Sequence, residues 1–514
     1  MFRPLLALLA VAGGLALAGC GGDPRSVYRI EIDEVAPALE TFDDDACEHL
    51  QFVLDPERLD RFRDTPREER PDVLRQIWAE LDPTPTTSVN ERRIDHYRRL
   101  AYARSHFGRE KAPGFDRRGE LLLRYGVPDE RRVIPADIVE GRGLVPPREI
   151  WVYWWLGHAY EMEDPRFQGN FLDAYRSRIG IEDVDRDIAA LAADSDVPAG
   201  VGNQGPAPLD AEEQFALDKL RSMLERGQMG LRTRPRAYLY DYGGQPLDYV
   251  FDVQTFADST SERTRVDVNT AFLGKDLDYA PGLGAYAATL ETEIAVRTSD
   301  WRDVTHLERR TADVRSDVDD RKGVLVVDQS TLYVDPGKYR LALVVRDLGS
   351  GNLGIRQFEV DVPAYPAEKF GVSDLQVALD VLPAGNDRDS TFVKGRYRVV
   401  PYPLGDFPPE RDLHLYFEVY GLRLGDDGFS KYEIHFIVRP RQPREGGWFG
   451  SSRGRVSPGV ALTYRGRSFG STAQETLSLE SETLDDGVYD LTIKVRDLLR
   501  DLTVSRRATF SIHR

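Results

Sequence analysis

Two carboxylates, Glu149 and Asp129, are the residues of this chain most open to an acid–base reading. A pair of carboxyl groups converging on one bond can give and take its proton. Nothing in their spacing forces the two together, and an ion pair with Arg124 or Arg131 is the competing fate of either. The run Glu149-Ile150-Trp151-Val152-Tyr153-Trp154-Trp155 is the strongest binding candidate. Trp151, Tyr153 and Trp155 alternate along it beside Glu149, and aromatic faces stack on sugars and on partner proteins. Core packing of the same side chains, between the strand and the capped helices, is the favoured reading. The eight histidines are scattered without His-Glu-x-x-His or paired-ligand spacing, so no zinc site is expected. Acidic clusters at Asp317-Val318-Asp319-Asp320, Asp387-Arg388-Asp389 and Asp426-Asp427-Gly428 carry the oxygens that calcium uses, and equally the composition of solvated turns. A P-loop is missing. The expectation is no metal, no cofactor and no catalytic set.

Cys20 carries the most specific chemistry. Arg3 supplies a positive start, and Leu5 to Leu17 form an apolar run too short to span a bilayer. The run ends in Leu17-Ala18-Gly19-Cys20, which resembles the lipobox of bacterial lipoproteins. That resemblance implies cleavage of residues 1–19 and a diacylglycerol on the Cys20 thiol, an anchor that holds stably once two or more acyl chains are present. Asp does not follow Cys20 directly, which under the enterobacterial sorting rule favours the outer membrane. Cys47 then has no intrachain partner, and its acidic surroundings Asp43-Asp44-Asp45 do not favour a thiolate.

With 514 residues the chain has room for three or four domains. Its net charge of −18 argues against nucleic acid, whose phosphates need a basic face.

Residues 20–63 read as a segment following the anchor, and 64–195 as a mixed helical and β module. Val73, Leu74, Ile77, Trp78 and Leu81 recur at helical spacing. Asp82-Pro83-Thr84-Pro85 stops that helix, and Ser88-Val89-Asn90-Glu91 has the form of a capping box for the next. Arg92, Arg93, Arg98, Arg99 and Arg104 then read as its solvated face. Gly119 to Tyr125 reads as a short strand or a helix end. Phe167, Phe171, Tyr175 and Ile179 repeat every four residues, as a helix would. Residues 196–208 form a linker, and 209–229 a connecting helix using Phe215, Leu220, Met223 and Leu224.

Several ordered pieces of this half resemble the GWxTD-domain family of envelope proteins. They are Trp78-Ala79-Glu80-Leu81-Asp82-Pro83, the pair Asn90-Glu91, Gly114-Phe115-Asp116-Arg117-Arg118-Gly119, Tyr125-Gly126-Val127-Pro128-Asp129 and Glu149-Ile150-Trp151-Val152-Tyr153. The match covers about residues 70–175, and it departs at the name-giving motif, where Phe115 stands for Trp and Thr is missing. The resemblance implies a location and an architecture; the family has no established enzymatic activity.

From Pro235 the hydrophobic period changes to alternation, as in Val266-Asp267-Val268-Asn269-Thr270. Asp335-Pro336-Gly337-Lys338-Tyr339 leading to Val345-Arg346-Asp347-Leu348 is repeated as Asp485-Asp486-Gly487-Val488-Tyr489 leading to Val495-Arg496-Asp497-Leu498. The Asp-x-Gly-x-Tyr element resembles the tyrosine corner of immunoglobulin-like sandwiches. The fold expected is therefore a multidomain α+β chain, its N-terminal module followed by two tandem all-β immunoglobulin-like sandwiches at 235–363 and 367–514. The function expected is binding or scaffolding for another envelope protein or a glycan, with a hydrolase of envelope polymer as the alternative.

Overall fold

In the computed structural model the residues described are 30, 46–139, 143–174, 219, 222–224, 226–227, 238, 240–282, 284–317, 324–385, 391–407, 411–441, 460–481 and 484–513. Cys20 with its leader, the linker 196–208, Tyr175, Ile179, Phe215, Leu220 and the acidic residues Asp319, Asp320, Asp387 and Asp389 lie outside them. The chain divides into two compact units, residues 1–84 with 89–240, and residues 85–88 with 241–514.

Among the described residues the first unit opens with five helices, α1 (Ala46–Leu50), α2 (Pro56–Asp64), α3 (Arg70–Glu80), α4 (Glu91–His106) and α5 (Arg117–Tyr125). Their starts follow from side-chain acceptors for the free N–H groups of a first turn. Asp55 accepts from the Arg58 N–H, with Pro56 in the first turn. Asn90 accepts from Arg93 at 2.8 Å, and Asp116 from Arg118 at 3.0 Å. The cap of α4 is thus Asn90 rather than Ser88, and Glu91 instead receives the Thr84 hydroxyl. Gly119 to Tyr125 is helical, inside α5.

An antiparallel sheet follows, in the order β1 (Glu130–Ile134), β4 (Arg148–Tyr153), β5 (His158–Glu163), β6 (Leu172–Asp173), with a hairpin of β2 (Asp137–Val139) and β3 (Gly143–Val145) beside it in sequence. Strand β4 is buried along its whole length. Trp151 and Tyr153 join one core with Leu100, Phe107 and Leu122 of the helices. Ile150 and Val152 point the other way, onto Met223 and Leu224, which are helical.

Two expectations are corrected here. Residues before 64 are part of this body, because Leu50, Phe52, Leu59 and Phe62 lie in the same core as Trp151. Phe167 and Phe171 are not on a helix: Phe167 turns at φ 56°, and Phe171 lies in irregular chain just before β6. The physical reason is local turn chemistry. Asp164 accepts from the Gly169 N–H at 2.5 Å, and Arg118 donates to the Gly169 carbonyl at 3.0 Å, so side chains fix a loop where spacing alone reads as helix.

The second unit is mostly β, built from several antiparallel sheets. β12 (Leu325–Val334), β8 (Thr264–Leu273) and β7 (Val250–Ala257) form one sheet. Facing it, β11 (Asp303–Arg315), β10 (Tyr286–Thr298), β13 (Gly337–Asp347) and β14 (Leu353–Val362) form another, with the short β9 (Ala280–Pro281) on β10. Val266, Val268, Ile294, Leu341 and Leu343 fill the space between them. In the next pair, β15 (Gly371–Val372), β20 (Leu413–Tyr420), β16 (Gln376–Pro383), β18 (Tyr397–Pro401) and β17 (Val393–Lys394) run in that order, with β23 (Ala473–Leu479) also on β20. Opposite lie β19 (Asp406–Phe407), β25 (Leu502–Ile512), β24 (Gly487–Asp497), β21 (Phe429–Pro440) and β22 (Val460–Phe469). Leu415, Phe417, Ile434, Phe436, Leu491 and Ile493 form the core of this pair.

The repeated element does the same work in both copies. Tyr339 donates to the Asp335 carbonyl at 2.8 Å, and Tyr489 to the Asp485 carbonyl at 2.8 Å. Each bond ties the start of a long central strand, β13 or β24, to the turn that leads into it.

Candidate functional site

Glu149 is 2 % exposed and every lone-pair direction of its carboxylate is directed to a donor of the fold. Oε1 accepts from Arg118 and Arg131, both at 2.9 Å, and Oε2 accepts from Arg131 Nε and from the Trp151 indole N–H, also at 2.9 Å. Strands β1 and β4 bring Arg131 directly opposite Trp151, so sheet register assembles three of the four contacts. Burial alone would raise the carboxyl, but Arg131, Arg118 and the indole N–H hold it below the usual range. A carboxylate so ligated has no lone pair or proton to spare for a substrate.

The network continues through Arg118 to Asp116, whose carboxylate takes the guanidinium at 2.8 Å, Arg109 at 3.0 Å and the Phe171 N–H at 3.1 Å. Asp129 does not meet Glu149. It instead accepts from the Trp154 backbone N–H at 2.6 Å, closing the turn that begins at Gly126.

The aromatic strand is corrected as a surface. Trp151 and Tyr153 are 0 % exposed, with Trp151 against Phe107 and Tyr153 against Tyr125 and Tyr160. Trp155 is half-buried against the same core. Met223 and Leu224 cover the back of the strand and the helices cover the front.

The other motif residues are positioned for folding. Trp78 is buried beside His96 and Tyr97, and Asn90 donates to the Trp78 carbonyl at 2.6 Å, tying the end of α3 to the start of α4. Asp82 accepts from the Thr84 N–H at 3.1 Å across Pro83. Phe115 is buried against Phe52, and a Cβ on Gly119 would come within 2.6 Å of its ring, so only glycine fits under it. Gly114 and Gly126 have φ of 91° and 86°, a region that favours glycine. Tyr153 donates to the Gly126 carbonyl at 3.0 Å, and Pro128 lies in the same turn.

Of the arginines read as the solvated face of α4, Arg104 is exposed, Arg93 and Arg98 are half-buried, and two are corrected. Arg92 and Arg99 are 5 % and 8 % exposed, and the Arg92 guanidinium lies 3.7 Å from the Tyr238 ring centroid. Burial, with the like charge of Arg99, pushes Arg92 down to about 10.

One chemical pair escaped sequence reading. His49 and His96, far apart in the chain, are both 0 % exposed, with Nδ1 of the first 2.9 Å from Nε2 of the second. Burial, then His49 and Arg92, push His96 well below its ordinary 6.5. An unfolded His96 takes up a proton below that pH and the folded one does not, so stability is lost as pH falls below 6.5. At pH 5 this predicts a loss of about 2 kcal/mol, relative to pH 7.5, that a His96→Phe variant does not show. Chemical denaturation of both proteins at the two pH values measures it, and equal losses would refute the assignment.

In the second unit Asp427 accepts from the Phe429 N–H at 3.1 Å and pairs with Lys431 and Arg467, the behaviour of a turn carboxylate. Gly450-Ser451-Ser452-Arg453-Gly454 fits a Gly-x-Ser-x-Gly pattern and lies outside the described residues.

A buried ion pair joins the two sheet pairs. Lys394 is 1 % exposed and reaches Asp267, 0 % exposed, at 2.5 Å, with the Phe256 ring centroid 3.8 Å from its ammonium. Asp267 also takes Thr331 at 2.7 Å and Arg265 at 2.9 Å. Asp267 and Asn269, which alternation assigns to solvent, are therefore interior: the outer face of the β7–β8–β12 sheet is covered. Phe256, Ala378, Val399 and Tyr416 form a small apolar cluster at the same junction.

Comparison with known proteins adds no relative to this picture: no family model matches the chain, and no curated protein matches it.

Proposed function

We propose that this chain is an outer-membrane lipoprotein of the GWxTD kind, anchored through Cys20, whose body binds or scaffolds another envelope protein or a glycan without catalysis. The observation that carries the non-catalytic half is the saturation of Glu149 by Arg118, Arg131 and Trp151. The hydrolase alternative needed a free carboxylate in this module, and the residue best suited to the role is a structural anchor. The membrane half rests on Leu17-Ala18-Gly19-Cys20. The paired tyrosine bonds, Tyr339 to Asp335 and Tyr489 to Asp485, support reading the two sheet pairs as duplicated immunoglobulin-like sandwiches. Both would serve to present surfaces away from the bilayer.

Mass spectrometry of the purified protein is expected to find residues 1–19 removed and a diacylglyceryl group on Cys20. Cys20→Ala is expected to leave the membrane fraction, because the acyl chains supply the attachment. A free thiol at Cys20 or a retained leader overturns the anchor. Hydrolysis of purified envelope polymer by the isolated protein overturns the non-catalytic half.

A further inference from the structure

The second sheet pair has an open side. Strand β25 is hydrogen-bonded to β24 along its length, and among the described residues its other edge pairs only with β19, at Ser511 and Ile512. The Ser511 N–H is taken by the Gly405 carbonyl at 2.9 Å. Thr503, Ser505, Arg507 and Thr509 face the same way, since residues of an antiparallel strand alternate between its two edges. Among the described residues none of their N–H groups has a backbone acceptor.

Beside this edge is a cavity of about 280 Å³, walled by Tyr365, Phe370, Tyr420 and Val504 and bearing two cations, Lys369 and Arg506. Arg506 crosses the opening to donate to the Val372 carbonyl at 3.1 Å, so the cavity lies between the edge of β25 and the edge strand β15. Among the described residues neither cation has a carboxylate partner, in a chain whose net charge is −18. Charges on an edge can serve simply to repel other strands. Arg507 fits that role, being exposed. Arg506 does not, because it is half-buried and turned into the gap between the sheets.

We propose that this cleft binds an extended acidic peptide, which adds as a strand along Thr503–Thr509 and places a carboxylate against Lys369 and Arg506. Main-chain bonds to the free edge supply affinity, and the aromatic, basic cavity selects alternate side chains. The proposal deepens the binding function above by naming the partner's chemistry.

The probe is a fluorescent ten-residue peptide alternating valine and glutamate, titrated against the full-length protein in detergent and followed by anisotropy. Saturable binding is expected, with none for the peptide carrying lysine in place of glutamate. Lys369→Glu is expected to weaken binding by about tenfold, as reversing a cation that faces the partner's carboxylate does. Ser505→Pro removes a free edge N–H without taking a bond from the sheet, and a similar weakening is expected. Both positions are exposed, and unchanged melting temperatures would show that the variants fold. Equal binding of the lysine peptide, or insensitivity to both substitutions, overturns the proposal. So does a dimer that Ser505→Pro dissociates, which would assign the edge to a second copy. Binding by a protein found unacylated would sink the envelope reading alone; an acylated protein that ignores the peptide would sink this inference alone.

Discussion

Replacing Glu149 by Ala is expected to destabilise the first unit by about 3–5 kcal/mol, the cost of stripping one partner from a buried ion pair. The substitution leaves Arg118, 8 % exposed, with Asp116 as its remaining carboxylate, and leaves the buried Trp151 N–H without an acceptor. Glu149→Gln is expected to cost less, since an amide oxygen still accepts from a guanidinium, although its NH2 then faces Arg118 or Arg131. Urea denaturation read by near-ultraviolet circular dichroism measures both losses. A general acid or base would behave in the opposite way, losing turnover and keeping stability. A Glu149→Ala protein as stable as the parent would therefore reverse the structural reading of this residue and restore the hydrolase alternative.

Repetition and turn chemistry were the parts of the fold most legible in sequence. Tyr339 and Tyr489 stand in matching local sequences and make the same bond, because a hydroxyl reaching a carbonyl four residues upstream depends on residues within a few positions of each other. Pro83 and Gly126 read correctly as punctuation for the same reason, a helix stop or a positive φ being a local requirement, whereas the cap of α4 reads as Ser88 and is Asn90. What sequence could not supply was the second partner of a surface. Arg92 and Arg99 look like an exposed helix face until Tyr238 is laid over them. Trp151 and Tyr153 look like a groove until Leu100, Phe107 and Leu122 of the helices are packed over that face of β4. Asp267 and Asn269 look solvated until β16, β18 and β20 cover their sheet. In each case period 2 or 3.6 gave the face correctly and the covering element came from far along the chain. The fates of Glu149 and of the His49–His96 pair were hidden for the same reason.

The Lys394–Asp267 pair makes the strongest case of this kind and a second large prediction. Lys394→Met is expected to cost about 3–5 kcal/mol, because Asp267 then keeps a buried charge with only Arg265 and Thr331 to compensate it. Asp267→Leu leaves a buried ammonium against the Phe256 ring and is expected to cost a similar amount. The double variant is expected to recover much of the sum, since an apolar pair of similar volume removes both desolvation penalties at once. The two partners respond differently to the same contact. Burial would raise the Asp267 carboxyl, but Lys394 and Arg265 bring it below its ordinary value. Burial pushes the Lys394 ammonium down to about 8, and Arg265 adds to that against the pull of Asp267. Between pH 8 and 10.5 the unfolded lysine holds a proton that the folded one has released. This group's contribution to stability therefore rises with pH across that window. The parent should accordingly gain stability relative to Lys394→Met as pH is raised from 8 towards 10, which denaturant melts of the two proteins would register. A constant difference across that range, or strictly additive losses in the double variant, would mean that the pair does not hold the two sheet pairs together.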